Sequence, residues 1–232
     1  MLKPRKRSWL AHRLQEAVTG GLTRAYTRVK IDPEEYLQRL RAAHRLPIQS
    51  FEDMFFLPPE TLDGLADQTI TAATRVAVLE GAGLGMGGIV TLIPDMGILS
   101  AIVVRLLQKL SLIYGFTYSS DEETARLWMA AASAAGLDLG RELVEKEAVE
   151  RLVPHIIERI AVKVSAEVAE KWSARLIPVV SGALGGTLNY YFVREWGRRA
   201  KRYFREKHHR ARTQQQMVAP RGAALPLPRG DS

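Results

Sequence analysis

The chain has 232 residues, 47% of them hydrophobic and 25% charged, with a net charge of +8 and no cysteine. That length holds one sizeable domain or at most two small ones, and the apolar content is enough for a real core. The lack of cysteine excludes disulfides, thiolate metal sites and cysteine nucleophiles, and fits a reducing compartment.

The charge is unevenly spread. Residues 1–30 carry +7, residues 194–212 another +7 and residues 213–232 +1, which leaves −7 on the body between them. Basic ends on an acidic body point to an anionic partner, either phospholipid headgroups or nucleic acid.

The opening MLKPRKRSWLAHRL is charged, without the apolar run or small-residue cleavage site of a signal peptide. Residues 5–30 read as an amphipathic helix with Trp9, Leu10, Leu14, Val18, Leu22 and Ala25 on one face. Lys3, Arg5, Lys6, Arg7 and Trp9 give its start the composition of an interfacial membrane helix, and docking on the chain's own domain is the competing reading. Gly20-Gly21 weakens its middle, which leaves one helix, or two divided there, as the alternatives.

Asp32-Pro33-Glu34-Glu35 is a helix start, with Asp as cap, Pro in the first turn and acids against the dipole; this helix is expected to end near His44. Ser50 to Phe56 forms a short aromatic-bearing turn, and Pro58-Pro59-Glu60 opens a helix leading into a glycine-rich stretch.

That stretch, Gly81 to Val104, is the most apolar part of the chain and holds six glycines and a single ionisable side chain, Asp95. Pro94-Asp95 near its centre predicts a helical hairpin, one arm ending near Leu92 and the next capped by Asp95. Gly81, Gly85 and Gly88 at spacings of four and three let another helix approach closely. In the second arm Leu99, Ile102, Val103, Leu106 and Leu110 form a wide stripe, with Arg105 and Lys109 on the polar side.

Ser119 and Ser120 with Glu122 and Glu123 offer two overlapping capping boxes for an alanine-rich helix that Gly136 ends. Residues 139–153 and 154–172 read as two amphipathic helices divided at Pro154.

A second uncharged run, 176–193, carries Gly182, Gly185, Gly186 and Asn189 between basic and aromatic flanks; Pro178, Ser181 and Asn189 count against a lipid-exposed span. From Arg194 a basic helix follows, with Arg194, Trp196, Arg198, Arg199, Lys201 and Arg202 as further membrane-binding candidates. His208-His209 reads as solvated within it, and the last twenty residues have the Pro/Gly/Gln bias of a disordered tail.

The runs 93–116 and 177–204 together resemble the EcsC family over about residues 60–205. The first carries a Pro-Asp pair opening an apolar helix (Pro94, Asp95), an Arg (Arg105) and an aromatic-Gly pair near its end (Tyr114, Gly115). The second carries Pro178, Gly182, Gly185 and Asn189; Ser181 departs mildly from the glycine or small apolar residue expected there. The resemblance implies a bacterial, all-helical protein acting at or near the cytoplasmic membrane, in a family named after a protein encoded beside an ABC transporter linked to protein secretion. It carries over no catalytic residue.

The fold expected is therefore an all-α bundle built around two glycine-rich apolar helical segments. Its parts are a basic amphipathic helix (1–30), a helical domain (31–205) and a basic, disordered tail (206–232). Gly81, Gly85, Gly88, Pro94, Asp95, Gly182, Gly185 and Asn189 form its expected ligand or structural centre; Asp95 reads first as a cap and Asn189 as an interhelical hydrogen bond.

No P-loop, dinucleotide fingerprint or nucleophile elbow occurs, and His155–Glu158 lacks the second pair that a di-metal bundle needs. No metal or cofactor is called for, and the chain reads as non-enzymatic. The leading reading is a cytoplasmic module, peripheral at the inner membrane, that binds anionic lipid or a hydrophobic ligand and serves a transport or secretion system, with an integral protein whose apolar hairpins cross the bilayer as the competing localisation. A nucleic-acid binder using the basic termini comes second, and a lipid- or peptide-acting hydrolase third.

Overall fold

Asp32 caps a helix as its position dictates: its carboxylate accepts from the Glu35 amide at 3.1 Å, and Pro33 occupies the first turn. The computed structural model describes residues 4–84, 89–138, 149–174 and 183–218. Among these residues there is no strand, and the helices are α1 (Pro4–Arg28), α2 (Pro33–His44), α3 (Pro59–Leu84), α4 (Ile89–Ile113), α5 (Asp121–Ala134), α6 (Val149–Ala174) and α7 (Ala183–Val218), with a 3-10 turn at Glu52–Phe56. Of the two capping boxes available, Ser120 with Glu123 forms. The Glu123 carboxylate also takes the Thr117 hydroxyl at 2.6 Å.

The core is one cluster. Leu14, Val18 and Leu22 of α1, Leu62 and Ile70 of α3, Val103, Leu106, Leu107, Leu110 and Ile113 of α4, Ile156 and Ile160 of α6 and Phe204 of α7 are all buried in it. Each such side chain contributes about 1.5–3 kcal/mol relative to full exposure. The apolar face of α1 from Leu14 to Ala25 is therefore spent on α4 and α6, so this part of the helix docks on the chain's own domain.

α3 and α7 form the most extensive helix pair among the described residues, and they run antiparallel. Asn189 bonds to Ala77, Gly197 faces Ile70, Lys201 pairs with Asp67 and Arg212 reaches the Leu57 carbonyl. α1 and α4 run parallel: a Cβ on Gly21 would meet Ser100 Oγ at 2.6 Å and Gly97 Cα at 3.2 Å, while Gln108 bonds to Val29 and Ile31. The starts of α1, α4 and α7 and the end of α3 consequently lie at one end of the bundle, the first end. By this register α1 projects about two turns beyond the start of α4.

Three expectations need correction, and one pair of alternatives is decided. α4 runs from Ile89 through Pro94-Asp95 without interruption, so Asp95 does not start a helix, and the turn after α3 falls between Leu84 and Ile89. α6 likewise passes through Pro154. Both prolines lie five residues after their helix begins, where one ladder bond is lost and the buried stripe beyond, Leu99 and Val103 or Ile156 and Ile160, keeps the helix together. α1 is continuous across Gly20-Gly21, because Gly21 is the point of closest approach to α4. Finally, α7 extends to Val218, so residues 206–218 are helix rather than tail.

At the opposite, second end, Gly115 adopts φ +82° and closes α4, and a Cβ there would meet the Phe55 ring at 2.8 Å. The Tyr114 hydroxyl donates to Asp63 at 2.7 Å, and Asp63 also faces Arg205 at 3.4 Å. His208 is buried, stacked on Phe55 with ring centroids 4.6 Å apart, and its Nδ1 lies 2.9 Å from the Tyr114 carbonyl, so that nitrogen carries the proton and donates. The solvated histidine expected here is thus a core residue, because α7 turns that face onto the 3-10 turn.

Candidate functional site

The first end gathers the sequences that are hardest to place in water. α3 finishes in EGAGL, α4 starts IVTLI and α7 starts ALGGTL. On all three helices an exposed apolar side chain faces this end and a cation follows toward the middle of the bundle. On α3 these are Leu79 (73% exposed) and Val76, then Arg75. On α4 Ile98 is followed two turns later by Arg105, and on α7 Tyr191 (65% exposed) by Arg194 and Arg198. Glu80 and Glu195 are exposed acids among them, and Glu195 is paired with Arg199 at 2.9 Å. Elsewhere Phe56 and Val162 are exposed singly.

Two grooves flank the outer ridge of α3. One, of about 830 Å³ between α3 and α7, is lined by Thr71, Arg75, Leu79, Tyr190, Arg194 and Arg198, with the Lys201–Asp67 pair (2.8 Å) at its far side. The Arg194 guanidinium sits over the Tyr190 ring, 5.3 Å from its centroid, and bonds the hydroxyl. The other, of about 590 Å³, lies between α2, α3 and α4, with Ala73, Val76 and Ile102 along it and Arg39, Arg105 and Lys109 at one end. Burial depresses the pKa of Lys109, and the neighbouring Arg105 and Arg39 push it further down.

The expected centre lies only partly within the described residues. Asn189 is buried and its amide donates to the Ala77 carbonyl at 3.2 Å, joining the second apolar run to the helix that leads into the first. Gly81 is buried near the end of α3, and Gly185 lies in the first turn of α7. Pro94 and Asp95 lie in α4, and their side chains, like Gly85, Gly88 and Gly182, fall outside the described residues. The close approach of α3 and α7 is made lower down, at Gly197, where a Cβ would meet Ile70 at 2.9 Å. The sequence signal for it was a glycine amid basic residues, which no apolar-run search finds.

The membrane candidates divide too. Lys3 and the side chains of Arg5, Lys6 and Arg7 lie outside the described residues, and Trp9 is 56% exposed. Arg194, Arg198 and Arg202 are exposed, whereas Arg199 bonds to Glu195 at 2.9 Å and Lys201 is held by Asp67. Trp196 needs correction as an interfacial anchor: it is buried, packed against Phe192 with ring centroids 5.0 Å apart and tilted by 32°, and faces Leu22, Leu99 and Val164. Its place on the inner stripe of α7 decides this. Arg75 and Lys109 were missed, since only tertiary structure brings them to the grooves.

The model of the EcsC protein family matches residues 5–208, nearly the whole described chain. The chain belongs to the EcsC family. The match reaches the resemblance in the two apolar runs and extends it to α1. Protein EcsC of Bacillus subtilis (strain 168) is 30% identical over 145 residues, which is 60% of this chain and 61% of that protein. The aligned region thus spans under two thirds of that relative's length. No solved structure matches. No helix among the described residues is long and apolar enough to cross a membrane.

Proposed function

We propose that this family member is a non-enzymatic module that docks its first end onto anionic phospholipid, peripheral on the cytoplasmic side of the inner membrane. The observation that supports this reading is the graded surface on α3, α4 and α7, where exposed apolar side chains at the end give way to cations within one or two turns. Such an order matches the bilayer interface, where apolar groups enter the acyl boundary and Lys/Arg meet the headgroups. Arg75, Arg194 and Arg198 have no carboxylate within ion-pair distance among the described residues, so their charge is available to an external anion. Seated there, the module would reach a transporter or secretion component within the plane of the same membrane.

The test is co-sedimentation with phosphatidylglycerol-containing and with pure phosphatidylcholine vesicles. Recovery should be higher on the anionic vesicles and fall with salt. The Arg75→Glu/Arg194→Glu/Arg198→Glu variant should lose most of it, since each basic residue near the surface is worth ~1 kcal/mol. Leu79→Glu should weaken the residual, salt-resistant part. Equal recovery on both vesicle types, unaffected by these changes, sinks the reading.

A further inference from the structure

The groove between α2, α3 and α4 is, like the one between α3 and α7, a pocket as well as a surface, and it joins a cationic end to an apolar wall. Its volume, about 590 Å³, falls within the ~300–1,000 Å³ of small-ligand sites. One end is cationic and the other apolar. Arg105 and Lys109 stand four residues apart on α4, about one helical turn, and Arg39 of α2 faces the same end. Arg39 is bonded to Glu35, but neither Arg105 nor Lys109 has a carboxylate within ion-pair distance among the described residues.

Burial lowers the pKa of the half-buried Lys109 ammonium most, and the two neighbouring guanidinium groups, Arg105 and Arg39, repel it and push the same way. From there the groove runs along Ala73, Ile102 and Val76 to Ile98 at the first end of the bundle. Alanines on α3 and α4, Ala72, Ala73 and Ala101, are what leave the groove open. The distance along α4 from Lys109 to Ile98 is about 16 Å by helix rise, room for an acyl chain in extended form.

We propose that this groove holds one single-chain anionic amphiphile, its head on Arg105 and Lys109 and its chain along Ala73, Ile102 and Val76 toward the first end. The shared chemistry is an acyl chain with a carboxylate or phosphomonoester head. An anion placed there relieves the repulsion among the cations and forms charge-assisted hydrogen bonds, while the chain covers apolar wall that water now meets. The orientation agrees with the proposed membrane seat, with the head at the level of the cations and the chain pointing toward the acyl layer. Occupancy by a monomeric ligand does not require that seat.

The experiment uses the full chain and monomeric probes below their micellar concentrations. Palmitate, 1-palmitoyl-lysophosphatidate, 1-palmitoyl-lysophosphatidylcholine and inorganic phosphate each compete against a dansyl-labelled undecanoate. Saturable displacement by palmitate or lysophosphatidate, with little by the zwitterion or by phosphate alone, supports the proposal, and the better of the two anionic amphiphiles identifies the head. Arg105→Gln/Lys109→Gln should weaken binding about tenfold or more, as loss of charge-assisted contacts does.

Ala73→Trp, which fills the groove without touching the charges, should abolish it while the melting temperature stays close to that of the parent. If either variant fails to fold, the preference of the unaltered protein for anionic over zwitterionic amphiphile still decides. No displacement by either anionic amphiphile, or equal displacement by the zwitterion, overturns the proposal. Vesicle sedimentation, measured separately with Arg105 and Lys109 intact, reports on the membrane seat, so one reading can fail while the other stands.

Discussion

At the second end of the bundle the polar groups satisfy one another: Tyr114 donates to Asp63, Asp63 faces Arg205, Lys201 holds Asp67, and His208 donates to the Tyr114 carbonyl. At the first end Arg75, Arg194 and Arg198 have no such carboxylate partners among the described residues, and Leu79 and Tyr191 are left in water. A stable helical protein gains from the first arrangement and nothing from the second. The contrast separates a part of the molecule that holds the fold from a part whose surface chemistry calls for something outside the chain. Substitutions at the second end and in the core should therefore cost stability and spare vesicle binding, and those at the first end should do the reverse.

The largest expected effect is in the core. Leu110 is fully buried on α4, and Leu110→Ala should cost about 2–5 kcal/mol in urea unfolding. Vesicle binding by the protein that remains folded should not change; a matching loss of both would erase the distinction between the ends. Next comes the contact between α1 and α4. A Cβ on Gly21 meets the Gly97 backbone as well as the Ser100 hydroxyl, so Gly21→Val should cost about 1–3 kcal/mol through overpacking. Gly20, whose Cβ would meet only the Arg24 side chain, should accept alanine with no loss. Equal melting temperatures for Gly20→Ala and Gly21→Val would place the close approach elsewhere.

The smallest effect is a pH dependence at the second end. Burial holds the pKa of His208 below its usual 6.5, and Arg212 and His209 push the same way against the bond to the Tyr114 carbonyl. Its Nε2 is buried with no partner among the described residues, so a second proton has nowhere to be satisfied. The unfolded chain therefore takes that proton more readily than the folded one. This stability contribution is intact above about pH 6.5 and declines as the pH falls below that value toward the folded-state pKa. His208→Phe, which keeps a ring on Phe55, should flatten the decline in urea midpoints below that pH. An unchanged slope in the variant would assign the pH dependence to other groups.

The helix periods, the Asp32 cap, the Ser120–Glu123 box and the stop at Gly136 could all be read from local sequence, since each depends on residues within a turn or two of one another. Asn189 was legible as an interhelical donor because a buried amide in an apolar run must find an acceptor, and Ala77 supplies it. The prolines misled for the opposite reason. Pro94 and Pro154 carry a strong local penalty, and the packing of the helix beyond them is not a local quantity. Trp196 and His208 misled in the same way, because a basic run conceals an inward stripe until its neighbours are in place.

The sequence by itself determined that the chain is all-helical and that it falls in the EcsC family. These follow from composition, spacing and motif. Only the tertiary structure decided that α1 spends its apolar face from Leu14 to Ala25 on α4 and α6, and that Gly21 and Gly197 are the close contacts. It also brought Arg39, Arg105 and Lys109 from two helices to one end of a groove. Which side chains meet across helices depends on register and direction, and a one-dimensional pattern does not contain them.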